Sequence, residues 1–114
     1  MDLNQTDLIV KNVKQARESF EKILNIQADY SDDNFAQFTV GSHCLMLSTK
    51  DEVAIENFNS SIILHFKVAD VDSEASRLKS SGIKILKEAH KTDWGTYSLL
   101  VEGPNGIIID FYKI

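Results

Sequence analysis

Apolar and polar residues alternate through the first ten residues of the chain and then change to a helical spacing. Leu8 and Val10 fall on one face of this segment, and polar residues, including Asp7, fall on the other, which is typical of a half-buried strand. From Val13 onward, apolar residues recur every three or four positions, as on one face of an amphipathic helix. The pattern therefore predicts a strand over residues 3–10 followed by a helix.

This first helix has signals at both of its ends. Asn12 is a residue type favoured at the N-cap, and Gln15, three positions later, completes a capping-box pattern. Asn25 is suited to the left-handed conformation that commonly follows the last turn of a helix. We therefore predict that the helix begins after Asn12 and ends at Asn25.

Three short strands are predicted to follow the first helix, and the same order of elements then begins again. Turn-forming residues separate the strands, and the polar segment 51–60 is predicted to be a linker. Beyond the linker, a second helix is capped by Asp70 and ended by Gly82. The predicted strands cover residues 3–10, 26–30, 35–40, 43–48, 61–68, 83–87, 96–102 and 107–112.

The two halves of the chain match each other weakly in identity but clearly in the phase of their apolar residues. Residues 8–13 align with residues 66–71, so each half contains a strand, a helix and three further strands. Each half has little core of its own, and two helices covering one face of a paired sheet would bury both apolar stripes. We therefore predict an α+β fold of two βαβββ modules, residues 1–50 and 61–114, forming a curved mixed sheet with the helices on its outer face.

Composition and charge argue against several classes of partner. The 114 residues carry a formal net charge of −5 without a cluster of Lys and Arg, so we expect no nucleic acid and no membrane partner. The single cysteine, Cys44, cannot form an internal disulfide, and no signal-peptide pattern is present. We therefore expect a cytoplasmic location.

The last twenty residues contain a predicted hairpin with an acidic residue in an otherwise apolar strand. Residues 103–106, Gly-Pro-Asn-Gly, predict a tight turn between two strands rich in β-branched and aromatic residues. Asp110 lies in the second of these strands, between Ile109 and Phe111. Its carboxylate is either a ligand or general base in a functional site, or a group paired with Lys67 or a backbone amide.

Three segments of the chain resemble the vicinal oxygen chelate superfamily, which contains glyoxalase I, fosfomycin- and bleomycin-resistance proteins and extradiol dioxygenases. Residues 8–24 resemble the first strand and helix of the family, residues 94–96 (Trp-Gly-Thr) the entry to its seventh strand, and residues 101–111 its closing hairpin. The resemblance spans essentially the whole chain and implies the glyoxalase/bleomycin resistance-like fold. In character it is closest to metal-free bleomycin-resistance-like members.

The resemblance also implies where a divalent metal would bind. The four positions at which the family holds its metal fall on Gln5, Met46, Ile63 and Asp110. A thioether is too soft for such ions and isoleucine has no donor atom, so half of the usual site is missing. We therefore expect no cofactor, although a divalent metal remains possible in a rearranged site. The residues of that rearranged site would be Gln5, Asp7, His65 and Asp110.

Strand alternation predicts one sheet face free of the helices, and we expect the ligand there. Trp94, Tyr97 and Tyr112 would stack on a planar ligand, or else complete the core or a dimer interface. His65 would be a proton shuttle or ligand, or else a hydrogen-bonded wall residue. The predicted ligand-binding residues are Gln5, Asp7, Met46, Ile63, His65, Lys67, Trp94, Tyr97, Asp110 and Tyr112.

These features fit two functions from different classes. The first is a homodimer, with or without exchanged modules, whose grooves bind a small planar or amphiphilic organic molecule without metal chemistry. The alternative is a divalent-metal-dependent lyase, isomerase or dioxygenase with rearranged ligands. A structural or partner-binding dimer without a ligand is a third possibility.

Overall fold

The chain folds into two compact units of the same topology in the computed structural model, which describes residues 1–49 and 62–114. The units are Met1–Phe58 and Asn59–Ile114. In each unit one helix covers one face of a four-stranded mixed sheet, so the predicted α+β class and the repeated βαβββ order are confirmed. The linker predicted over residues 51–60 lies outside the described residues.

Each unit follows the same chain order, and its parallel strand pair joins the first strand to the last. The first unit contains β1 (Gln5–Ile9), α1 (Val13–Leu24), β2 (Tyr30–Ser31), β3 (Phe35–Val40) and β4 (His43–Ser48). The second contains β5 (Ile63–Lys67), α2 (Val71–Ser80), β6 (Ile85–Lys91), β7 (Tyr97–Glu102) and β8 (Ile108–Lys113). The strand orders are β1-β4-β3-β2 and β5-β8-β7-β6, with β1/β4 and β5/β8 parallel and the other pairs antiparallel.

Both helices begin at the predicted capping residues. The Asn12 side chain accepts a hydrogen bond from the Gln15 backbone amide at 2.9 Å, and the Asp70 side chain accepts one from the Ser73 amide at 3.0 Å. Asn25 follows α1 in the left-handed region, with φ of 55°. Each cap satisfies a backbone donor that the first helical turn leaves unpaired, which is why polar residues mark the helix ends in the sequence. No helix among residues 1–49 and 62–114 is long and apolar enough to span a membrane.

Strand alternation packs the apolar side chains of each sheet against its own helix. In the first unit Phe20 of α1 is fully buried and lies against Phe38 of β3, with ring centroids 6.3 Å apart. In the second unit Leu78 of α2 and Ile109 of β8 are fully buried. Burying each such side chain contributes about 1.5–3 kcal/mol, so a register that turned these residues outward would be strongly disfavoured.

The other face of each sheet carries no helix of its own unit, and we call it the open face. It is the face predicted from the alternating pattern. Its residues in the first unit include Gln5, Asp7, Cys44 and Met46, and in the second unit Ile63, His65, Lys67, Leu100, Ile108, Asp110 and Tyr112.

Strand boundaries differ from the prediction mainly at β2 and β6. A strand was expected over residues 26–30, but only Tyr30–Ser31 pairs with β3. β6 continues to Lys91, beyond the predicted end at residue 87, and its pairing with β7 shifts register on both sides of Lys87. Such bulges interrupt the alternation of apolar and polar residues, so a pattern of period two does not reveal the full length of this strand.

The turn between β7 and β8 has the left-handed residue that its sequence predicts. Asn105 has φ of 55° within the short 3-10 turn Pro104–Gly106. Gly103 is required for a different reason, because a Cβ there would lie 2.9 Å from the backbone carbonyl oxygen of Ile107. The hairpin places Leu100 opposite Asp110, so Asp110 lies on a central strand of the second sheet.

Candidate functional site

A short polar contact on the open face of the second sheet joins His65 to Asp110. The two residues lie side by side because β5 and β8 pair in parallel with this register. His65 Nδ1 is 2.6 Å from the carboxylate oxygen Oδ2 of Asp110. Asp110 therefore pairs with an imidazole, and not with Lys67 or a backbone amide as the structural alternative proposed from the sequence.

The two side chains of this pair differ in exposure. The Asp110 side chain is 8% exposed, whereas the His65 side chain is 59% exposed. The second carboxylate oxygen of Asp110, Oδ1, is buried and has no hydrogen-bond partner among the described residues. Because a buried polar atom without a partner costs about 1–3 kcal/mol, Asp110 occupies this central position at a cost to stability.

The contact with Asp110 sets the role of the other imidazole nitrogen of His65. An ionised carboxylate can only accept hydrogen bonds, so Nδ1 of a neutral His65 carries the proton and donates to Oδ2. Nε2 is then the ring nitrogen with a free lone pair. The pair can therefore accept a hydrogen bond, or a proton, from a molecule that lies on the open face.

Apolar and aromatic side chains surround the pair. Leu100 is the neighbour of Asp110 on β7, and Ile63 on β5 is 43% exposed. The ring of Tyr112 stands nearly edge-on to His65, with ring centroids 6.3 Å apart and an interplanar angle of 80°. A few polar atoms held within a mainly apolar surface are the usual composition of a small-molecule site.

The open face of the first sheet has the equivalent positions but different chemistry. Asp7 lies beside Met46 across the parallel β1/β4 pair, as His65 lies beside Asp110 in the second unit. The exposed Asp7 carboxylate accepts a hydrogen bond from the Ser48 hydroxyl at 3.0 Å. Asp7 stands at the position equivalent to His65 and Met46 at the position equivalent to Asp110, so these two positions form no imidazole–carboxylate pair in the first unit.

The register also decides which residues adjoin the family's metal positions. Gln5 lies beside Cys44, and Ile63 lies beside Ile108, so neither is the direct neighbour of Met46 or Asp110. The direct neighbours of Met46 and Asp110 are Asp7 and His65, which lie two residues further along β1 and β5.

The donor atoms of the described residues nevertheless do not fit a metal ion within either unit. Among residues 1–49 and 62–114, no three His, Cys, Asp or Glu side chains are grouped so that they could hold a metal ion. The second unit supplies two donors at this place, His65 and Asp110, and they bond to each other. Catalytic metal sites typically use three protein ligands.

The three aromatic residues predicted to stack on a ligand do not share one surface. Tyr97 lies on the helix side of the second sheet, where its hydroxyl donates to Asp72 of α2 at 2.7 Å. Tyr112 pairs with the residue after Tyr97, so alternation turns these two rings to opposite faces. Trp94 is in the turn before β7 and is 76% exposed. The predicted common stacking surface is therefore wrong for Tyr97 and Tyr112.

The remaining predicted residues keep their expected faces, and two further residues join them. Lys67 adjoins Tyr112 on the open face, and Met46 is half-buried beside Asp7. Leu100 and Ser48 were not singled out from the sequence. The pairing of β7 with β8 across the Gly-Pro-Asn-Gly turn is the signal that would have placed Leu100 beside Asp110.

A four-stranded mixed sheet with one helix, repeated once along the chain, defines the glyoxalase/bleomycin resistance class of fold. The sequence model of the Glyoxalase/Bleomycin resistance protein/Dioxygenase superfamily matches residues 2–111. The chain belongs to this superfamily, and the resemblance noted in the sequence is confirmed. No curated protein matches the chain.

Solved structures show the same fold over nearly the whole chain. One, described as a conserved domain protein, is 55% identical, with a TM-score of 0.93 over 100% of this chain and 99% of that one. A glyoxalase-related enzyme from Fulvimarina pelagi is 15% identical, with a TM-score of 0.84 over 98% and 87% of the two chains. A glyoxalase/bleomycin resistance protein/dioxygenase from Nocardioides is 15% identical, with a TM-score of 0.82 over 98% and 82%. At this low identity the last two similarities support the fold alone.

Proposed function

We propose that the protein binds a small organic molecule on the open face of its second sheet, around His65 and Asp110, without metal chemistry. The observation that carries the proposal is the buried Asp110 carboxylate, which holds an exposed imidazole at 2.6 Å. A polar group that is already held in place pays little ordering cost when a ligand binds. The protein keeps this buried carboxylate although it lowers the stability of the fold, which supports a functional role for Asp110.

The surroundings of the pair favour a flat, mainly apolar ligand that carries one hydrogen-bond donor. Nε2 of His65 accepts a hydrogen bond, so it suits an O–H or N–H group. Ile63, Leu100 and the ring of Tyr112 offer apolar contact beside it. An aromatic alcohol combines these two properties and is the ligand class that fits best.

The test uses 2-naphthol and its methyl ether as probes in nuclear magnetic resonance titrations of ¹⁵N-labelled protein. We expect 2-naphthol to shift the amide signals of β5 and β8 and the Nε2 signal of His65. The ether has the same flat body without the donor, and we expect it to bind about tenfold more weakly or worse. Equal affinity for the two probes would contradict the proposed contact.

Two histidine variants test whether 2-naphthol binds at His65. His65→Ala removes the acceptor and should weaken 2-naphthol binding to the level of the ether. His43→Ala is the matched control, since His43 bonds the Thr6 hydroxyl at 2.8 Å in the first unit, and it should leave the affinity unchanged. Unchanged binding by His65→Ala would end the proposal.

A divalent-metal-dependent lyase, isomerase or dioxygenase is the second candidate. The observation that favours it is that Asp7 and His65 occupy equivalent positions in the two units, each beside the position of a family ligand. This candidate predicts that Asp7→Ala, His65→Ala and Asp110→Ala each abolish metal binding while the fold remains intact, and metal retained by all three variants would exclude it.

A homodimer in the cytoplasm is part of the same proposal. Exposed large apolar side chains, such as Tyr30 at 55%, Ile62 at 45% and Leu86 at 44%, offer surface that a second copy would cover. Cys44 is a free thiol, which suits a reducing compartment. Sedimentation equilibrium should give twice the chain mass of 12.8 kDa, and a monomer at every concentration would contradict the dimer.

A further inference from the structure

A cavity lies on the helix side of the second sheet, on the face opposite to His65 and Asp110. Its volume is about 580 Å³, which is within the usual range for small-molecule pockets. Three of its lining residues lie side by side on neighbouring strands, namely Lys91 on β6, Tyr97 on β7 and Lys113 on β8. We call this cavity the lysine groove.

The hydroxyl groups of the lysine groove are already hydrogen-bonded. The Tyr97 hydroxyl donates to Asp72 at 2.7 Å. The Thr92 hydroxyl accepts a hydrogen bond from the Thr96 amide at 3.0 Å and lies 2.8 Å from the Thr96 hydroxyl. The hydrogen bond to Asp72, together with burial and the nearby carboxylate charge, raises the pKa of Tyr97, so its hydroxyl stays protonated at neutral pH.

In contrast to these hydroxyl groups, the ammonium groups of Lys91 and Lys113 are available to a ligand. Neither Lys91 nor Lys113 forms an ion pair with a carboxylate in the part of the chain that the structure describes. Lys113 Nζ lies 5.7 Å from the centre of the Tyr97 ring. The charge of Lys113 contributes to lowering the pKa of Asp70, after the hydrogen bonds of Asp70 with Ser73.

From this geometry we propose that the lysine groove binds a small aromatic carboxylate, with its carboxylate at Lys91 and Lys113 and its ring against Tyr97. Two ammonium groups flanking an aromatic ring favour negative charge and a flat body in the same ligand. A polyanion does not fit, because the chain has a net charge of −5. A metal ion does not fit either, because Asp72 is the one acidic side chain among the lining residues and it accepts a hydrogen bond from Tyr97.

Benzoate is the probe for this site, and the single tryptophan of the chain is the reporter. Trp94 lies in the turn between Thr92 and Thr96, so its fluorescence should change when the lysine groove is filled. We expect saturable binding of benzoate that weakens as sodium chloride is added. Methyl benzoate lacks both the charge and a hydrogen-bond donor, so it should bind about tenfold more weakly or worse. Equal binding of the two probes, or no saturable binding of benzoate at millimolar concentration, would overturn the proposal.

Matched lysine variants then locate the binding. Replacing both lysines, by Lys91→Met and Lys113→Met, removes the charges and keeps most of the apolar stems, and benzoate should bind about tenfold more weakly or worse. Lys87→Met is the control, because Lys87 is on the same strand but pairs with Leu100 on the open face. It should leave the affinity unchanged, as should His65→Ala. Undiminished affinity of the double variant would overturn the proposal.

Discussion

Replacing Asp110 by leucine is predicted to stabilise the fold while removing its proposed function. The Asp110 side chain is 8% exposed, and its Oδ1 atom has no partner within the described residues. Substituting an apolar side chain removes the desolvation cost of this oxygen, which is about 1–3 kcal/mol. Leucine would also add apolar contact beside Leu100, the neighbour on β7.

The terms that oppose this gain are small. The substitution removes the hydrogen bond with His65, but that imidazole is 59% exposed and can bond to water instead. Leucine is larger than aspartate, and its open-face neighbours Leu100 and Ile108 are only half-buried, which leaves room for the added volume. The expected net increase in the free energy of unfolding is about 1–2 kcal/mol.

Urea unfolding followed by circular dichroism measures this difference between the wild-type protein and Asp110→Leu. Asp110→Asn is the matched control, since it keeps the shape and removes the charge but leaves a buried amide donor without a partner, and it should gain less than leucine. The stabilised leucine variant should no longer discriminate 2-naphthol from its ether. A loss of more than about 1 kcal/mol in Asp110→Leu, with an unchanged denaturant slope, would refute this reasoning and make Asp110 a structural residue.

Three further changes test the packing and electrostatics of the two units. Gly103→Ala should destabilise the protein by about 1–3 kcal/mol, because the added Cβ would lie 2.9 Å from the carbonyl oxygen of Ile107; unchanged urea unfolding would contradict this. Phe20→Ala, at a fully buried position, should cost about 3–5 kcal/mol by the same assay, and a loss below about 1 kcal/mol would contradict the described core. Asp72→Asn should let Tyr97 ionise at lower pH, because the hydrogen bond to Asp72 raises the pKa of Tyr97. The raised pKa of Tyr97 stabilises the fold below pH 10.0, the pKa of tyrosine in the unfolded chain, and this stabilisation is lost as the pH rises through the pKa of Tyr97 in the folded protein. A phenolate absorbance titration that is the same in Asp72→Asn as in the wild-type protein would contradict this effect of Asp72 on Tyr97.

Elements that depend on nearby residues could be predicted from the sequence. The cap at Asn12 acts on an amide three residues away, and the left-handed turn residue Asn105 acts on its own backbone. The apolar stripes of the two helices and the alternation in the strands gave the buried faces. β6 was predicted too short because its bulges break the alternation on which strand prediction depends.

His65 and Asp110 were grouped in one candidate site from the sequence, but their direct hydrogen bond could not be predicted, because it depends on strand register between residues 45 positions apart. Alternation assigns a residue to a face but does not say which residue of the neighbouring strand lies beside it. Both residues belong to the predicted ligand-binding set, and that set stays a prediction. The grouping of Tyr97 with Tyr112 failed for the same reason, since the register of β7 and β8 turns their rings to opposite faces.

Metal analysis of protein purified without added metal or chelator, combined with 2-naphthol titration before and after treatment with EDTA, tests metal-free binding most directly. We expect far less than one metal ion per chain and the same affinity for 2-naphthol in both titrations. Near-stoichiometric Ni, Zn, Mn or Fe that His65→Ala removes, with 2-naphthol binding lost after EDTA, would contradict metal-free binding and establish the metal-dependent alternative.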